Sequence, residues 1–572
     1  MADELRPDLT HPVLEAEKGH PSTPCPETGR PAPCTLVIFG ASGDLTARKL
    51  IPALFHLFCN GSLPQKMNIV GVARSKMTTE DFRAHAREGL EEHASGDLFR
   101  WPELAARLFY HPLEYGRLSD YLNIVGVARS KMTTEDFRAH AREGLEEHAS
   151  GDLFRWPELA ARLFYHPLEY GRLSDYLALE RTLRELDEKS GTEGNRIFYL
   201  ATPPSVYAVV AEQLGAVGLA EEAKGSFSRI VVEKPFGRDL ASARELDARM
   251  HTAFAEHQIF RIDHYLAKEM VQNILMFRFA NSVFEPLWNR RYIASITCAS
   301  AESLGVGHRA GYYEQAGVLR DMFQNHMMQL LALSAIEPPS LFAANRVRDE
   351  KVKLYRSLRP FDGNTLWKDL SLGQYVSGKI SGRAVPAYRQ ERGIAPDSMI
   401  PTFAMIRAYV DNWRWQGVPF YIMSGKRLPK KLTRIVIQFR DVPHSMFRNV
   451  EQGEMVPNRL VLDLAPDNGI SLRFQAKMPG SKLCFRPVVM HYSFDEDADG
   501  VLLDAYAKVF LDCMLGDQLL FWRQDSVELC WGWLTPILEL CEECTDLQKH
   551  LEMYPAGSWG PESCREYMEC LL

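Results

Sequence analysis

Long apolar runs are missing from this sequence. No stretch of the 572-residue chain approaches the roughly 20 apolar residues that a membrane-spanning helix needs. The N-terminus also lacks the charged and then apolar segment of a secretory signal. We therefore expect a cytoplasmic protein that has no membrane partner.

A large excess of one charge is also missing. The chain has 66 Lys and Arg against 74 Asp and Glu, for a net charge of -8. A balance this small, spread over this length, gives no bulk attraction to nucleic acid or to acidic membranes. We expect no nucleic-acid partner, and any anionic ligand must be bound by a local group of cations.

Cysteine pairs at metal-ligand spacing are scarce. The chain has 11 cysteines and no secretory signal, which is typical of reduced thiols. Cys541-x-x-Cys544 has no second pair at zinc-ligand spacing. The sequence predicts no metal site.

An ordinary globular composition is what remains, with 46% hydrophobic and 24% charged residues. Residues 1–33 are polar and rich in proline, and we expect them to form a disordered tail. From Cys34, the apolar runs TLVIFG, NIVGVA, RIFYLA and RIVVE alternate with helical patterns, as in parallel βαβ units. After Asp263, the alternating runs RIVIQF, RLVLDL and ISLRFQ predict an antiparallel sheet. We therefore predict an α/β Rossmann-like domain at 34–263, followed by a larger α+β domain with a mainly antiparallel sheet at 264–572.

A glycine turn follows the first predicted strand, in LVIFGASGDLTARKL. Gly40 and Gly43 let backbone N–H groups approach a pyrophosphate at a helix N-terminus, although any strand-to-helix turn can require glycine for its shape. The next strand, NIVGVARS, ends in Arg74, where an NAD site would have an acid, and a cation there suits the 2′-phosphate of NADP. Arg48 and Lys49 either add charge for that phosphate or form a solvated helix face. The coenzyme hypothesis is NADP.

Four chemically active side chains are close together in FRIDHYLAKEM: Asp263, His264, Tyr265 and Lys268. If a helix begins near Asp263, then His264 and Lys268 are four residues apart and share a face, with Tyr265 beside them. Such a face offers several donors to one phosphate dianion.

His326 lies within an apolar helical stripe. A histidine in this position is either a core residue with satisfied hydrogen bonds or a functional group. If its partner is a carboxylate, the partner fixes the tautomer and stabilises the imidazolium, which makes the ring a general base for a hydroxyl proton. The stripe in GVLRDMFQNHMMQLLAL consists of Leu319, Met322, Phe323, Met327 and Leu330.

Most of the chain from Cys34 to about Leu538 resembles the glucose-6-phosphate dehydrogenases. The resemblance lies in GASGDLTARKL, YLATPPSVY, VVEKPFG, RIDHYLAKEMVQN, AGYYEQAGVLRDMFQNH and DNWRWQGVPFYIMSGKRL, of which RIDHYL-x-KE is highly specific. It implies oxidation of glucose 6-phosphate at C1 to 6-phospho-glucono-1,5-lactone with hydride transfer to NADP. This reaction is the first step of the oxidative pentose phosphate pathway, and the family forms homodimers and homotetramers.

The resemblance also implies roles for particular residues. His326 looks like the base on the C1 hydroxyl, Asp263 looks like its carboxylate partner, and Pro235 looks like a cis proline. The implied substrate ligands are Lys234, His264, Tyr265, Lys268, Glu302, Asp321 and Lys426. The implied coenzyme ligands are Gly40, Ala41, Ser42, Gly43, Asp44, Leu45, Arg48, Arg74 and Lys234.

Three residues depart from the family pattern. Ala267 stands where the family usually has Gly, which should tighten a turn slightly. Ala465 stands where many relatives have Gln near the substrate, so one sugar contact is lost or supplied by another residue. Asp463 replaces a frequent Arg of a second, structural NADP site, and we do not expect that site here.

The largest departure is an internal repeat. Residues 68–122 and 123–177 are the same 55 residues, letter for letter, and without one copy the chain has 572 − 55 = 517 residues. Structural repeats diverge, so two identical copies indicate a recent duplication or an error in sequence assembly. The first copy follows the glycine turn and the second precedes the helix ALERTLRELDEK. We therefore expect the early strand to come from 68–75 and the later one from 162–169, with a crossover in EEHASGDLFRWPE and with Arg74, not Arg129, as the coenzyme ligand.

Three functions remain open at this point. The first is an active NADP-dependent dehydrogenase. The second is a sugar-phosphate and NADP binder whose turnover is impaired because the duplication disrupts the coenzyme domain. The third is a protein whose residues 264–572 serve mainly as an assembly surface.

Overall fold

The structure is a computed structural model. It describes residues 32–39, 45–50, 52–54, 57, 67–72, 123–128 and 163–571, except 364–365, 446, 448–454, 480–483, 495–504, 544–546 and 570. In this part of the chain, no helix combines the length and apolar character that crossing a bilayer requires.

The first domain is built on an eight-stranded sheet. Its strands are β1 (Cys34–Phe39), β2 (Met67–Val72), β3 (Asn123–Ala128), β4 (Leu163–Pro167), β5 (Arg196–Leu200), β6 (Ser228–Val232), β7 (Ile259–Ile262) and β18 (Phe521–Trp522). The spatial order is β18-β7-β6-β5-β1-β2-β3-β4. β1 to β7 run parallel, and every residue of β1 is buried, as expected of a parallel strand covered on both faces. The predicted Rossmann-like sheet is confirmed.

The strand order reverses between β1 and β5. From β1 the chain goes to β2 on one side, and later returns to β5 on the other side, where Thr35 pairs with Arg196. In open parallel sheets, ligands bind outside the carboxyl ends of the strands at such a reversal. In the sequence, GASGDL directly follows β1; of these six residues, only Leu45 is described.

Both copies of the repeated strand pair with β1. Leu36 aligns with Ile69 of β2 and also with Ile124 of β3, in the same register. The later strand, β4, comes from the second copy and pairs with β3 through Ile124 and Leu163. Because the other edge of β1 faces β5, both copies pair with the same edge of this strand.

Among the described residues of the first domain, the α-helices longer than one turn are α1 (Leu173–Ser190), α2 (Tyr207–Ala216) and α3 (Leu240–Met250). α1 ends at Gly191, whose left-handed backbone suits glycine and whose N–H donates to the Asp187 carbonyl. Asp239 and Ser242 cap the start of α3 reciprocally.

The second domain is built on a nine-stranded, mainly antiparallel sheet. Its strands are β8 (Ile293–Ala301), β9 (Leu370–Val376), β12 (Phe403–Tyr409), β13 (Pro419–Gly425), β14 (Leu432–Phe439), β15 (Arg459–Ala465), β16 (Gly469–Lys477), β17 (Phe485–Ser493) and β19 (Leu551–Pro555). Their order is β17-β16-β15-β14-β8-β13-β12-β9-β19, and only the β8–β13 and β9–β19 pairs are parallel. A separate hairpin joins β10 (Gly378–Ile380) to β11 (Arg383–Val385). The predicted α+β domain is confirmed.

Helices of this domain pack on both sheets. They are α4 (Glu269–Phe279), α5 (Ala310–Val318), a π-helix (Leu319–Met327), α6 (Met328–Ala335), α7 (Ala344–Arg356), α8 (Leu366–Asp369), α9 (Ala505–Leu515), α10 (Gln524–Glu543), α11 (Leu547–His550) and α12 (Arg565–Glu569). Every residue of α6 is buried. The chain also returns to the first sheet, because β18 pairs antiparallel with β7 and Trp531 of α10 donates to the Phe236 carbonyl.

Candidate active site

A buried histidine and aspartate meet where the first sheet contacts the π-helix. Asp263 directly follows β7, and His326 lies near the end of the π-helix. Nδ1 of His326 is 2.5 Å from Oδ1 of Asp263, and both side chains are at most 1% exposed. The apolar stripe buries this face of the helix because its residues fill the core on both sides of His326. The predicted pairing of His326 with a carboxylate is confirmed, and its catalytic role stays a prediction.

The charges around this pair favour an ionised Asp263 and a neutral His326. Burial alone would raise the pKa of Asp263, but His326 and His264 nearby hold it below the ordinary value. Burial lowers the pKa of His326 despite the attraction of Asp263, and the Lys234 ammonium lowers it further. The Nδ1–H group therefore donates to the carboxylate, and Nε2 carries the lone pair.

Lys234 faces that lone pair. It lies in the turn after β6, at a cis Lys234–Pro235 bond, as predicted for Pro235. Nζ donates to Nε2 of His326 at 3.0 Å and to the backbone carbonyl of Asp321 at 3.0 Å. Lys234 thus occupies the Nε2 side of the imidazole, where His326 would have to accept a hydroxyl proton in its predicted role.

A second group of charges surrounds Asp321. Its Oδ1 is 3.5 Å from Nζ of Lys234, and its Oδ2 is 4.0 Å from Nζ of Lys426. Lys426 also donates to the Glu302 carboxylate. The structure therefore brings together Lys234, Glu302, Asp321 and Lys426, four of the predicted substrate ligands.

The segment from His264 to Lys268 differs from its prediction. It forms turns, with Leu266 N–H donating to the Asp263 carbonyl, and α4 begins only at Glu269. The shared helical face of His264 and Lys268 is therefore wrong, because the Asp263 carboxylate accepts the N–H of Tyr265 and starts a turn instead. Ala267 is fully buried in this turn.

The turn still brings its polar side chains to His326. The Tyr265 ring stacks on His326 with ring centres 4.0 Å apart, and its hydroxyl lies 3.3 Å from Oγ of Ser300. His264 contacts the same imidazole edge-on at 4.9 Å. Nζ of Lys268 lies 3.8 Å from the centre of the Tyr265 ring. Tyr265 therefore fixes the plane of His326 in addition to its predicted role.

Lys268 belongs to a group of lysines. Burial lowers its pKa to about 8, with further lowering by Lys431 and Lys49. Mutual repulsion between ammonium groups is relieved when an anion binds among them. Lys431, in the basic run KRLPKK, is a residue that sequence reasoning missed.

Two more missed residues contact Asp321. Nη2 of Arg309 is 3.5 Å from Oδ1 of Asp321, and the Tyr312 hydroxyl donates to the same oxygen at 3.4 Å. Both lie in or beside the AGYY motif, which gave the only signal for them.

Glu233 is a further missed residue, next to Lys234. Burial raises its pKa to about 7, and the Tyr199 hydroxyl donates to it.

Of the predicted coenzyme ligands, Leu45 and Lys234 are described. Leu45 opens the helical segment that contains the π-turn Thr46–Leu50. The other predicted ligands lie outside the described residues, either entirely or, for Arg48, in the side chain: Gly40, Ala41, Ser42, Gly43, Asp44, Arg48 and Arg74. The described part of the chain agrees with an NADP site in one respect. β1 ends at the place where the strand order of the sheet reverses, and coenzymes bind at such a place in open parallel sheets.

A parallel, Rossmann-like sheet with the sequence GASGDL after its first strand, joined to a buried His–Asp pair, is the arrangement of a nicotinamide-dependent dehydrogenase. Two family models match the chain. The model of the glucose-6-phosphate dehydrogenase NAD binding domain matches residues 37–117 and 94–273, and that of the C-terminal domain matches residues 275–570. The chain belongs to the glucose-6-phosphate dehydrogenase family.

Relatives support this over nearly the whole length. The chain is 40% identical to glucose-6-phosphate 1-dehydrogenase of Aggregatibacter actinomycetemcomitans, over 92% of this chain and 94% of the relative. It is also 40% identical to the enzyme of Treponema pallidum, over 95% of each. A solved glucose-6-phosphate dehydrogenase in complex with glucose 6-phosphate has a TM-score of 0.77 at 31% identity, covering 94% of this chain and 98% of that one.

Proposed function

We propose that the chain oxidises glucose 6-phosphate at C1 to 6-phospho-glucono-1,5-lactone with NADP, as the first step of the oxidative pentose phosphate pathway. The observation that carries this proposal is the buried His326–Asp263 pair, whose Nε2 lone pair faces Lys234. An assay that follows NADPH formation on addition of glucose 6-phosphate tests it. Absence of turnover with any phosphorylated sugar would contradict it.

His326 is the general base in this reaction. Loss of a hydride leaves positive character on C1 unless the hydroxyl proton departs, and a neutral imidazole accepts that proton at Nε2. Asp263 stabilises the imidazolium that forms. When bound, NADP supplies the hydride acceptor. Lys234 must yield its hydrogen bond at Nε2 to the substrate hydroxyl, and its remaining contact with Asp321 keeps its ammonium beside the reacting carbon.

The remaining ligands bind the two ends of the sugar phosphate. Glu302, Asp321 and Lys426 offer two carboxylates and an ammonium to the sugar hydroxyls. Lys268, with His264 and Tyr265, binds the phosphate. Fixing the phosphate at a distance aligns C1 with the base.

Lys268→Ala is expected to raise KM for glucose 6-phosphate about 10- to 100-fold, since a hydrogen bond to a charged group contributes roughly 1.5–3 kcal/mol. KM for NADP should remain close to its original value. Steady-state kinetics with each substrate varied in turn gives both constants. Lys430→Ala is the matched control, because Lys431 and not Lys430 is among the main charges acting on Lys268. A rise in KM for NADP instead would remove Lys268 from the phosphate site.

The alternative function is an impaired homologue that binds both ligands without turnover. The observation in its favour is that β2 and β3 both pair with one edge of β1, where a single-copy sheet would have one strand. Closing a longer loop costs only about 0.6 kcal/mol per doubling of its length, so a large domain survives the insertion. Binding of glucose 6-phosphate by calorimetry without NADPH formation would establish this alternative. If neither ligand raises the melting temperature, the assembly reading becomes the leading one.

We propose that the first copy supplies the coenzyme strand and the second supplies β4. The helix α1 begins within the second copy and directly follows β4, which supports this arrangement. In this proposal Arg74 lies at the 2′-phosphate of NADP, and Arg129, which follows β3, does not.

Arg74→Asp is expected to weaken NADP binding about 10- to 100-fold and NAD binding much less, because NAD lacks the 2′-phosphate. Arg129→Asp is the matched control, with the same change in an identical local sequence. Equilibrium titrations that follow the fluorescence of NADPH and of NADH measure the affinity of each variant for the two coenzymes. Equal loss in the Arg129→Asp protein would assign the coenzyme strand to the second copy.

Assembly, domain boundaries and location are also proposals. We propose a homodimer or homotetramer formed through β16 and β17, because β17 is an edge strand on which Val489, Met490 and Tyr492 are exposed. Sedimentation at several protein concentrations tests this proposal.

The domain division at 263/264 is supported by the two separate sheets, although β18 joins the first sheet from the C-terminal part of the chain. The cytoplasmic location is tested by cell fractionation.

A further inference from the structure

A buried lysine that the proposed mechanism does not use lies among the charges around Asp263. Lys351 belongs to α7 and is only 3% exposed. Its Nζ donates to Oε1 of Gln329 at 2.9 Å. A buried ammonium is costly unless nearby groups compensate its charge.

Gln329 connects this ammonium to the helical segment that carries His326. It lies three residues after His326, on the helical segment that continues the π-helix into α6, so the two side chains are one turn apart. Gln329 and His326 are each 1% exposed. The Lys351–Gln329 hydrogen bond thus places a positive charge against the segment that holds the imidazole.

Asp263 supplies the compensating charge. Its Oδ2 is buried and has no hydrogen-bond partner among the described residues, in contrast to Oδ1, which accepts from His326 and from Tyr265 N–H. Burial lowers the pKa of Lys351 to about 8, and Asp263 is the largest charge that opposes this lowering. The other main charged or titratable groups that act on Lys351 are Arg348 and Cys530.

We propose that Lys351 is a positioning residue of the reaction, whose ammonium keeps Asp263 ionised and His326 unprotonated in the free enzyme. The proposal rests on the proposed role of His326 as base. Positive charge beside the pair disfavours the imidazolium and favours the carboxylate, so Nε2 stays ready to accept the C1 hydroxyl proton. Lys234, His264 and Asp321 act on the pair from the other elements around it.

Removal of this charge has a predictable sign. In Lys351→Met the repulsion of the imidazolium disappears, so the pKa of His326 rises. The acidic limb of kcat/KM, which reports the base in the free enzyme, should move to higher pH by roughly 0.5–1 unit, less than the 1–3 units of a direct charge pair. Lys351→Arg retains the charge and should leave the limb where the unaltered protein has it.

Arg348→Met is the matched control. Arg348 is another buried cation of α7, one turn before Lys351, and its main charged neighbours are Arg523, Glu256, Asp525 and Arg261. This variant should lose stability without moving the limb. Lys351→Gln serves as the second neutral variant, so that the comparison does not depend on the folding of one protein.

An unmoved limb in both neutral variants, or an equal shift in Arg348→Met, would overturn the inference. Titration of the histidine ring signals by NMR gives a second readout, with His326 assigned from its loss in His326→Asn. Near-normal turnover in His326→Asn would instead overturn the role of His326 itself, so the two failures are distinct.

Discussion

His326→Asn is expected to lower kcat for glucose 6-phosphate oxidation by a factor on the order of 10² to 10⁴, since general-base contributions have this size. Asparagine retains a polar side chain of similar width but cannot accept a proton at the position of Nε2. Substrate affinity should stay near its original value, because the phosphate and sugar ligands are other residues. Stopped-flow measurement of NADPH formation and calorimetric binding of glucose 6-phosphate separate the two effects.

His257→Asn is the control for this change. His257 is exposed and pairs with Glu222 at 2.9 Å, so its loss should leave kcat unchanged. A His326→Asn protein that turns over at a near-normal rate would make His326 a core histidine that fills the apolar stripe. Weak binding combined with normal turnover at saturation would make it a substrate ligand.

Asp263→Asn is expected to lower kcat by a comparable factor, roughly 10² to 10⁴, through the tautomer of His326. An ionised carboxylate can only accept hydrogen bonds, so its contact with Nδ1 requires the ring proton to be on Nδ1. The lone pair of the ring is then on Nε2. An amide can donate to Nδ1 instead, which moves the ring proton to Nε2. That proton would face the Lys234 ammonium at 3.0 Å, and the base would have no free lone pair for the substrate.

A double substitution distinguishes this mechanism from two independent contributions. If Asp263 acts through His326, the protein with both changes should be about as slow as either single variant, because residues that act as one unit are not additive. Measured kcat values for the three proteins and the unaltered one complete the cycle. Multiplication of the two losses would show that Asp263 acts on the substrate by a separate route.

The sequence predicted the strands and the pairing of the two catalytic candidates well. TLVIFG, RIFYLA and RIVVE are short apolar runs between polar segments, and they form β1, β5 and β6. His326 interrupts a stripe of apolar residues, and a polar group there must have a partner. Asp263 follows a strand at the edge where ligands bind, so local pattern and topology agree.

Contacts between distant segments escaped prediction. The sequence predicted a helix that begins near Asp263, but α4 begins at Glu269. The Asp263 carboxylate accepts the backbone N–H of Tyr265 and holds the intervening residues in turns. The spacing of residues in the sequence does not reveal this contact. Lys351 lies in RVRDEKVKLYR, whose charges are typical of a solvated helix, yet the fold buries it against Gln329. The stacking of Tyr265 on His326 joins residues whose spacing carries no signal.

The shared register of β2 and β3 against β1 also bears on how this chain tolerates change. Because β2 and β3 offer β1 the same side chains in the same register, we expect a substitution that weakens β2 to shift the pairing of β1 toward β3, about tenfold for every 1.4 kcal/mol. The free energy of unfolding should then fall by less than the same substitution would cost in a sheet with one copy. The second copy would then act as a spare partner for β1, in the way that a duplicated gene supplies a second copy of a protein.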